Sequence, residues 1–416
     1  MTPTASIHLS LALILIANCA SAQDYLSGGS VSGGIQMDVQ YYTKDTLIHF
    51  DPATKSGLNV WGDILYRNAA FTAGLRFEAF QPPVIGYPKN MKGEGIPYKF
   101  ISYNKGRLSV TLGDFYEQFG SGLLLRAFQD KGLGFDNAFR GGELRYNLAD
   151  KIYITALAGK NRFFWDLDQS FVKGADAEIY VSDFIKKDSK IFWKVGGSYV
   201  NREYPPGEFD TTMHQYVDAY AVRTQVQYKG FTLEGEYATK TEDSLPFIPF
   251  SKDSVGVAYL LNAYYNARGF GLSAQYKALS QFDFRSDPMA MGLNSFLNFA
   301  PSIGRFYSLK EFTRYPFVTT ATSEQGIQLE STYSPKRGKT FLVNYTRVHN
   351  FNWERKYYES IYTEIDWKFS RKWHGIVGYQ YLDYDFVLQA KNKDRLFGHL
   401  YMLDLSWRMS KKVSLR

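Results

Sequence analysis

Cysteine is nearly absent from this 416-residue sequence. The single one, Cys19, lies near the N-terminus, so the rest of the chain can form no disulfide and do no thiol chemistry. Asn18 before it is the wrong residue for a lipobox, so Cys19 does not read as a lipid anchor. Long apolar runs are missing too. No internal stretch approaches the ~20 apolar residues of a spanning helix. The longest run, Leu11 to Ala17, is followed by Ala20-Ser21-Ala22, a small-x-small cleavage site before Gln23. Residues 1–22 therefore read as a secretory signal peptide, with only His8 and the amino terminus supplying positive charge, and residues 23–416 as the mature protein.

Histidine is sparse: His49, His214, His349, His374 and His399 are scattered, with no HExxH and no pair at ligand spacing. There is no GxSxG elbow and no His-x-Ser-Asn run of the kind a phospholipase barrel uses. Gly120-Ser121-Gly122 lacks the βαβ context of a nucleotide site. The acids between Asp166 and Asp176 match no calcium loop. The sequence thus predicts no enzyme, no bound metal and no cofactor. Charge of one sign does not dominate either. Lys and Arg number 48 against 41 Asp and Glu, and the net +7 is scattered over turns rather than striped along a helix. Nucleic acid is not an expected partner.

What is present is alternation. Phe231, Leu233, Gly235 and Tyr237 alternate with Thr232, Glu234 and Glu236. Ile327, Leu329 and Tyr333 alternate with Gln328, Glu330 and Thr332. Tyr401, Leu403, Leu405, Trp407 and Met409 alternate with Asp404, Ser406 and Arg408. Period two means strand, because successive side chains on a strand face opposite sides. The pattern predicts eighteen strands, near 34–42, 58–67, 70–80, 98–104, 107–116, 142–147, 152–159, 175–184, 190–202, 215–228, 231–240, 255–266, 270–279, 325–334, 339–348, 357–369, 373–384 and 399–409. Their connections alternate short and long. The short ones centre on Asn68, Lys105-Gly106, Ala149-Asp150, Lys187-Asp188, Lys229-Gly230, Arg268-Gly269, Lys336-Arg337-Gly338, Arg371 and Lys411, where Gly, Asn and Asp supply the positive φ of hairpin turns. The longest connection is 280–323.

Strands near ten residues with this parity predict an all-β, antiparallel transmembrane barrel in an outer membrane, with long loops outside and short turns in the periplasm. Aromatic content is high, at 17% with 32 Tyr and 32 Phe, and much of it clusters at strand ends, as suits a membrane–water boundary. The polar face carries Gln36, Asp38 and Gln40; Arg76 and Glu78; Arg223, Gln225 and Gln227; and Glu364, Asp366 and Lys368. Charges of both signs on an inner face imply a wet or plugged lumen, since unpaired charges are costly to bury. Val413-Ser414-Leu415-Arg416 begins a further strand and stops. Single-chain bacterial barrels have even strand numbers and no open edge, so closure is expected to need chain beyond Arg416.

One segment breaks the period: Gly113 to Arg126, continuing through Gly132-Leu133-Gly134-Phe135-Asp136-Asn137 to Arg140-Gly141-Gly142. Its glycines let backbone leave the wall. Leu123, Leu124 and Leu125 cannot all face lipid on a strand. The segment is expected to enter the lumen as a partial plug, with Glu117, Arg126, Asp130, Asp136 and Arg140 as its charged residues and Arg126 and Arg140 toward the aqueous path.

The runs GDFYEQFGSGLLLRAF and LGFDNAFRGGELRY, with Leu297-Asn298-Phe299-Ala300-Pro301, Tyr307-Ser308-Leu309, Tyr315-Pro316-Phe317 and Glu324-Gln325-Gly326, resemble a family of bacterial outer-membrane barrels classed as domain of unknown function 6029. The resemblance implies an outer-membrane location and brings no catalytic residues. The expected function is a channel or transport scaffold for small polar solutes. A second reading is a docking barrel that meets a surface or secretion partner through loop 280–323, rich in Phe282, Phe284, Phe296, Phe299, Phe306 and Tyr307.

Overall fold

The structure, a computed structural model, describes residues 28–47, 51–185, 190–205, 213–248, 251–292, 294–305, 307, 312, 319, 321–385, 395–410 and 414–415. The signal peptide expected over residues 1–22, Phe306 and the turns at Lys187-Asp188 and Lys411 lie outside these residues.

The wall begins with β1 (Ser30–Tyr41), β2 (Ser56–Asn68), β3 (Phe71–Phe80), β4 (Gly93–Lys105) and β5 (Leu108–Phe115). Four two-residue strands follow, β6 (Gln118–Phe119), β7 (Leu125–Arg126), β8 (Gln129–Asp130) and β9 (Phe135–Asp136). The wall resumes with β10 (Phe139–Leu148), β11 (Ile152–Phe163), the short β12 (Asp166–Leu167), β13 (Phe171–Tyr180), β14 (Ile191–Glu203), β15 (Tyr216–Tyr228) and β16 (Phe231–Lys240). It continues through β17 (Gly256–Ala267), β18 (Phe270–Ser280), β19 (Ser323–Lys336), β20 (Lys339–His349), β21 (Lys356–Trp367), β22 (Trp373–Asp385) and β23 (Arg395–Arg408) to the short β24 (Ser414–Leu415). Long strands pair antiparallel with their sequence neighbours, and β5 pairs directly with β10, so β6 to β9 stand off the wall. All eighteen strands expected from the sequence are present. β1 and β23 are the two sides of the seam: among the described residues no ladder joins β1 to β23 or β24.

Turn chemistry fixes the registers. Ala149 and Asp150 both take positive φ (56° and 60°), the combination a two-residue hairpin needs to match strand twist. Lys229, Gly106, Gly269 and Gly338 do the same at their turns. One strand lies earlier than its pattern suggests. β13 starts at Phe171, not 175, and stops at Tyr180, because a helical turn takes over at Ser182–Ile185.

The wall is apolar outside and polar inside. Val222 is 60% exposed, whereas Arg223, one residue on, keeps only 9% of its side chain accessible. Leu233, Leu261, Leu329, Val343, Val377 and Leu403 are also exposed on the outer face, while Lys277, Gln328, Asn344 and Gln380 are buried inside. Only lipid satisfies such an outer face, and the ladders satisfy the backbone within it. The protein is an outer-membrane β-barrel. Tyrosines ring the long-loop end, with Tyr199 and Tyr220 at 5.2 Å and Tyr237 and Tyr259 at 5.0 Å. Phe231, Tyr265, Phe270 and the stacked pair Trp373–Trp407 mark the short-turn end.

Candidate functional site

After Phe115 the chain leaves the wall. Gly113 makes the departure possible: its φ is +107°, and a Cβ there would lie 2.4 Å from the Lys99 carbonyl oxygen. β6 and β7 form a small hairpin that turns through Gly120 (φ +55°) and Gly122 (φ +88°). Leu123, Leu124 and Leu125 are all fully buried. They pack with Phe119 against Val172, Val200, Val217, Ala219, Ala221, Ala238 and Ala258 on the inner faces of β13 to β17. The hairpin thus reaches across the lumen from its roots on β5 and β10. Wall alanines and valines leave room for its leucines and phenylalanine. Gly174 on β13 completes the seat, since a Cβ there would lie 3.0 Å from the Phe119 ring.

The second ribbon, β8 with β9, is tied to the wall by charge. Asp136 accepts from the Arg162 guanidinium at 2.7 Å, from Arg76 at 3.3 Å and from the Tyr116 hydroxyl at 3.0 Å. Arg162 also donates to Glu78 at 2.7 Å. Burial pushes the Asp136 carboxyl above its ordinary range, and the two arginines oppose that shift. Tyr116 stacks on Tyr98 at 5.2 Å, and Arg76 lies 4.4 Å above the Tyr98 ring.

The long connection between β18 and β19 also folds inward. Phe282, Phe284 and Leu297 join the buried cluster around Leu123. Phe299 meets Phe128 at 4.8 Å and Phe135 at 5.3 Å. Further along, Ile303, Tyr307 and Phe312 cover the inner faces of β20 to β22, and Gln380 donates to the Tyr307 hydroxyl at 2.9 Å. Two asparagines join the insertions. Asn298 donates to the carbonyls of Leu123 and Phe282, both at 3.0 Å. Asn137 donates to the carbonyls of Arg126 at 3.0 Å and Phe296 at 2.8 Å. Of the aromatic residues that suggested a docking loop, Phe282, Phe284, Phe299 and Tyr307 therefore pack inside the barrel. Their number is explained by the core they build.

Nearby, Asp168 sits between the hydroxyls of Ser286 and Ser295, both donating to it. No cation faces it among its hydrogen-bond partners, and burial pushes its carboxyl up to about 6.

The five charged residues expected in the plug take different places. Glu117 accepts from Arg145 at 2.8 Å and ties the hairpin root to β10. Arg126 lies over the Phe128 ring at 4.7 Å, half-buried, and makes no ion pair with a described residue. Asp130 caps its own turn, accepting from the amides of Gly132 at 2.8 Å and Leu133 at 3.1 Å. Asp136 is the buried node just described. Arg140 departs from expectation. It belongs to β10, shares strand parity with the outward Leu144 and Tyr146, and is held by Asp114 at 2.8 Å and the Pro97 carbonyl at 2.8 Å. The glycines after it had made it look like loop, but Gly141 and Gly142 are in register with Gly159 and Ala158.

Below the hairpin tip the inner face changes character. Along β15 it runs Val217, Ala219, Ala221, then Arg223 and Gln225; along β16, Ala238, then Glu236 and Glu234. Gly120 and Ser121 sit at that boundary and roof a cavity of about 230 Å³ lined by Glu178, Lys194, Arg223, Gln225, Glu234, Glu236 and Asn262. The Ser121 amide donates to Glu236 at 3.1 Å. Sequence reading placed Arg223, Gln225, Glu234 and Glu236 on the polar face of their strands without singling out Glu178, Lys194 or Asn262 or finding the grouping. The switch from small apolar to charged residues along one face was the available signal. Among the described residues, no group of three His, Cys, Asp or Glu is placed to hold a metal.

A family model, described as "Family of unknown function (DUF6029)", matches residues 4–416. The chain belongs to this family. No functionally curated protein matches the sequence. Among solved structures, a BenF-like porin from Pseudomonas fluorescens is similar at 9% identity and a TM-score of 0.44, covering 91% of this chain and 98% of its own. OccAB4 of Acinetobacter baumannii gives 10% identity and 0.44, with 91% and 95% covered. OprD of Pseudomonas aeruginosa gives 8% and 0.43, with 93% of both chains covered. At these distances the lumen chemistry of this DUF6029 member has to be read from its own residues.

Proposed function

We propose that this protein is a constricted outer-membrane channel for small polar solutes. The observation that carries the reading is the position of the hairpin tip. An apolar hairpin packs on the loop-side inner faces of β13 to β17 and ends, at Gly120-Ser121, directly above a charged cavity. A barrel with no passage has no need of a charged chamber, whose desolvated groups cost stability. A passage narrowed by an insertion held with hydrogen bonds and ion pairs selects solutes by size and charge.

Liposome swelling with the full-length protein tests this. Permeation of a small neutral polyol with exclusion of larger sugars is the expected result. A form lacking 117–138 should lose the size limit. Liposomes that stay sealed to every solute with both proteins would refute the channel.

A further inference from the structure

We infer that the cavity beneath Ser121 is a binding site for a small organic cation, an ammonium or guanidinium group. The inference deepens the channel reading by naming its solute class, and rests on that reading for transport alone.

The chamber's charges do not balance locally. Its positive side chains are Arg223 and Lys194, and both are consumed on one side. Arg223 donates through Nη1 to Asp176 at 2.9 Å and Ser198 at 2.8 Å. Its Nη2 donates to Asp176 at 2.8 Å and Glu178 at 2.9 Å, and its Nε to Glu178 at 3.1 Å. A guanidinium has five N–H donors, so none is left over. Lys194 donates to Glu178 at 3.1 and 3.2 Å.

Among the described residues, Glu234 and Glu236, on the neighbouring strand, form an ion pair with neither cation, although Arg223 lies near enough to Glu236 to favour its charge. Glu234 accepts from the Gln225 amide, at 2.8 Å. Glu236 is 8% exposed. Its Oε2 accepts from the Ser121 amide, and its Oε1 is buried without a well-formed hydrogen bond; the Ser121 hydroxyl beside this carboxylate, itself lacking a well-formed partner, is a neutral donor only. A buried carboxylate oxygen left without a full hydrogen bond is destabilising, and an entering charged N–H group would supply one. Asn262, opposite Glu234 in the β16–β17 register, adds a neutral polar side chain to the same wall. Three carboxylates line the chamber (Glu178, Glu234, Glu236) against two cations, and Asp176, outside the lining, takes up part of the Arg223 charge as well, so the chamber is left net negative. A bare divalent metal does not fit, because no three ligating side chains converge among the described residues. A multi-donor organic cation fits the volume, the charge and the unmet acceptor.

Calorimetric titration of the full-length protein in lipid nanodiscs with putrescine, succinate and butanediol tests the site. Putrescine should bind and the other two should not. Glu236→Gln should weaken putrescine by about tenfold or more, as loss of a charge-assisted contact does. Glu234→Gln, at a less buried position, should weaken it as well and covers the case in which Glu236→Gln fails to fold. Absence of putrescine binding, equal binding of succinate, or unchanged affinity in both variants would overturn the site. Vesicle permeation separates the two claims: putrescine binding in a protein that passes no butanediol leaves the site standing and removes the channel.

Discussion

Asn298 is hydrogen-bonded to the backbone of Leu123, 175 residues away in the chain, at 3.0 Å. Its amide also donates to Phe282, and its Oδ1 accepts from the Phe284 amide at 3.1 Å. One side chain therefore fixes two insertions that root on different strands. Such insertions have only short ladders of their own, and their remaining buried backbone groups must be met by something. Asparagine can meet both donors and acceptors at once.

Replacing it tests whether the insertions act as a unit. Asn298→Ala should cost about 1–3 kcal/mol, since it leaves buried carbonyls unmet. The wall does not depend on it, so the heat-modifiable barrel should persist. Hydrogen exchange should rise at Leu123 to Leu125 and at Phe282 and Phe284 together. Faster exchange confined to one insertion would show that they are held independently.

Gly174 offers a way to move the plug from the wall side. Gly174→Val adds atoms where Phe119 already lies within 3.0 Å of a Cβ. Overpacking of this kind costs about 1–3 kcal/mol. The plug is held by fewer contacts than a wall strand, so it should give way first. Higher single-channel conductance from an intact barrel is the expected outcome. Unchanged conductance would mean the hairpin does not limit the path.

The two faces of β16 should respond differently to the same charge. Leu233 faces lipid and Glu234 faces the cavity. Leu233→Arg should cost about 2–4 kcal/mol in barrel stability, and Glu234→Arg far less. Equal losses in urea unfolding from bilayers would reverse the assignment of faces.

Much of this was legible in the sequence. Strand existence and parity came from period two and from turn glycines such as Gly106 and Gly269. Three successive leucines marked Leu123 to Leu125 as unable all to face lipid, and all three are buried. What the sequence hid was pairing across the lumen. Nothing local marks Asn137 and Asn298 as partners of Arg126 and Leu123, and Gly174 reads as a weak point of a strand until Phe119 is seen against it. Arg140 misled because Gly141 and Gly142 look like loop, while their role is close strand packing: a Cβ on Gly141 would meet the Ala158 carbonyl at 2.0 Å. Phe282 and Phe284 look sticky in a loop only while the loop is drawn outside.

Acid should tighten the loop interlock. The Asp168 carboxyl is raised from its ordinary 3.8 to about 6 by burial. The folded form therefore binds the proton more strongly than the released form. The stabilisation is fully present below about pH 4 and is lost as pH rises through about 6. Proteolysis of the segment around Ser286 and Ser295 should be slower at about pH 4 than at about pH 8, measured with a protease active at both. Asp168→Asn should abolish the difference. A pH dependence that survives this substitution would assign it to other groups.

Arg162 should be the most sensitive residue of the charged node. It donates to both Asp136 and Glu78, and its side chain and theirs are almost wholly buried. Removing Arg162 leaves two buried carboxylates, Asp136 and Glu78, to share the single guanidinium of Arg76, and breaking a buried pair in this way costs about 3–5 kcal/mol. Arg162→Met keeps much of the length and removes the charge, so it should release β8 and β9 from the wall and expose Asp136. Adding Asp136→Asn removes one of the two carboxylates that then compete for Arg76. The double variant should therefore recover part of the loss, although neither ion pair is restored. Arg76 remains to hold Glu78, at 3.4 Å, and accounts for the part retained. Denaturant midpoints for the two single variants and the double one, in a thermodynamic cycle, measure the coupling directly. Additive losses would mean that Arg162 acts on Glu78 alone and that the plug is anchored by Arg76 and Tyr116.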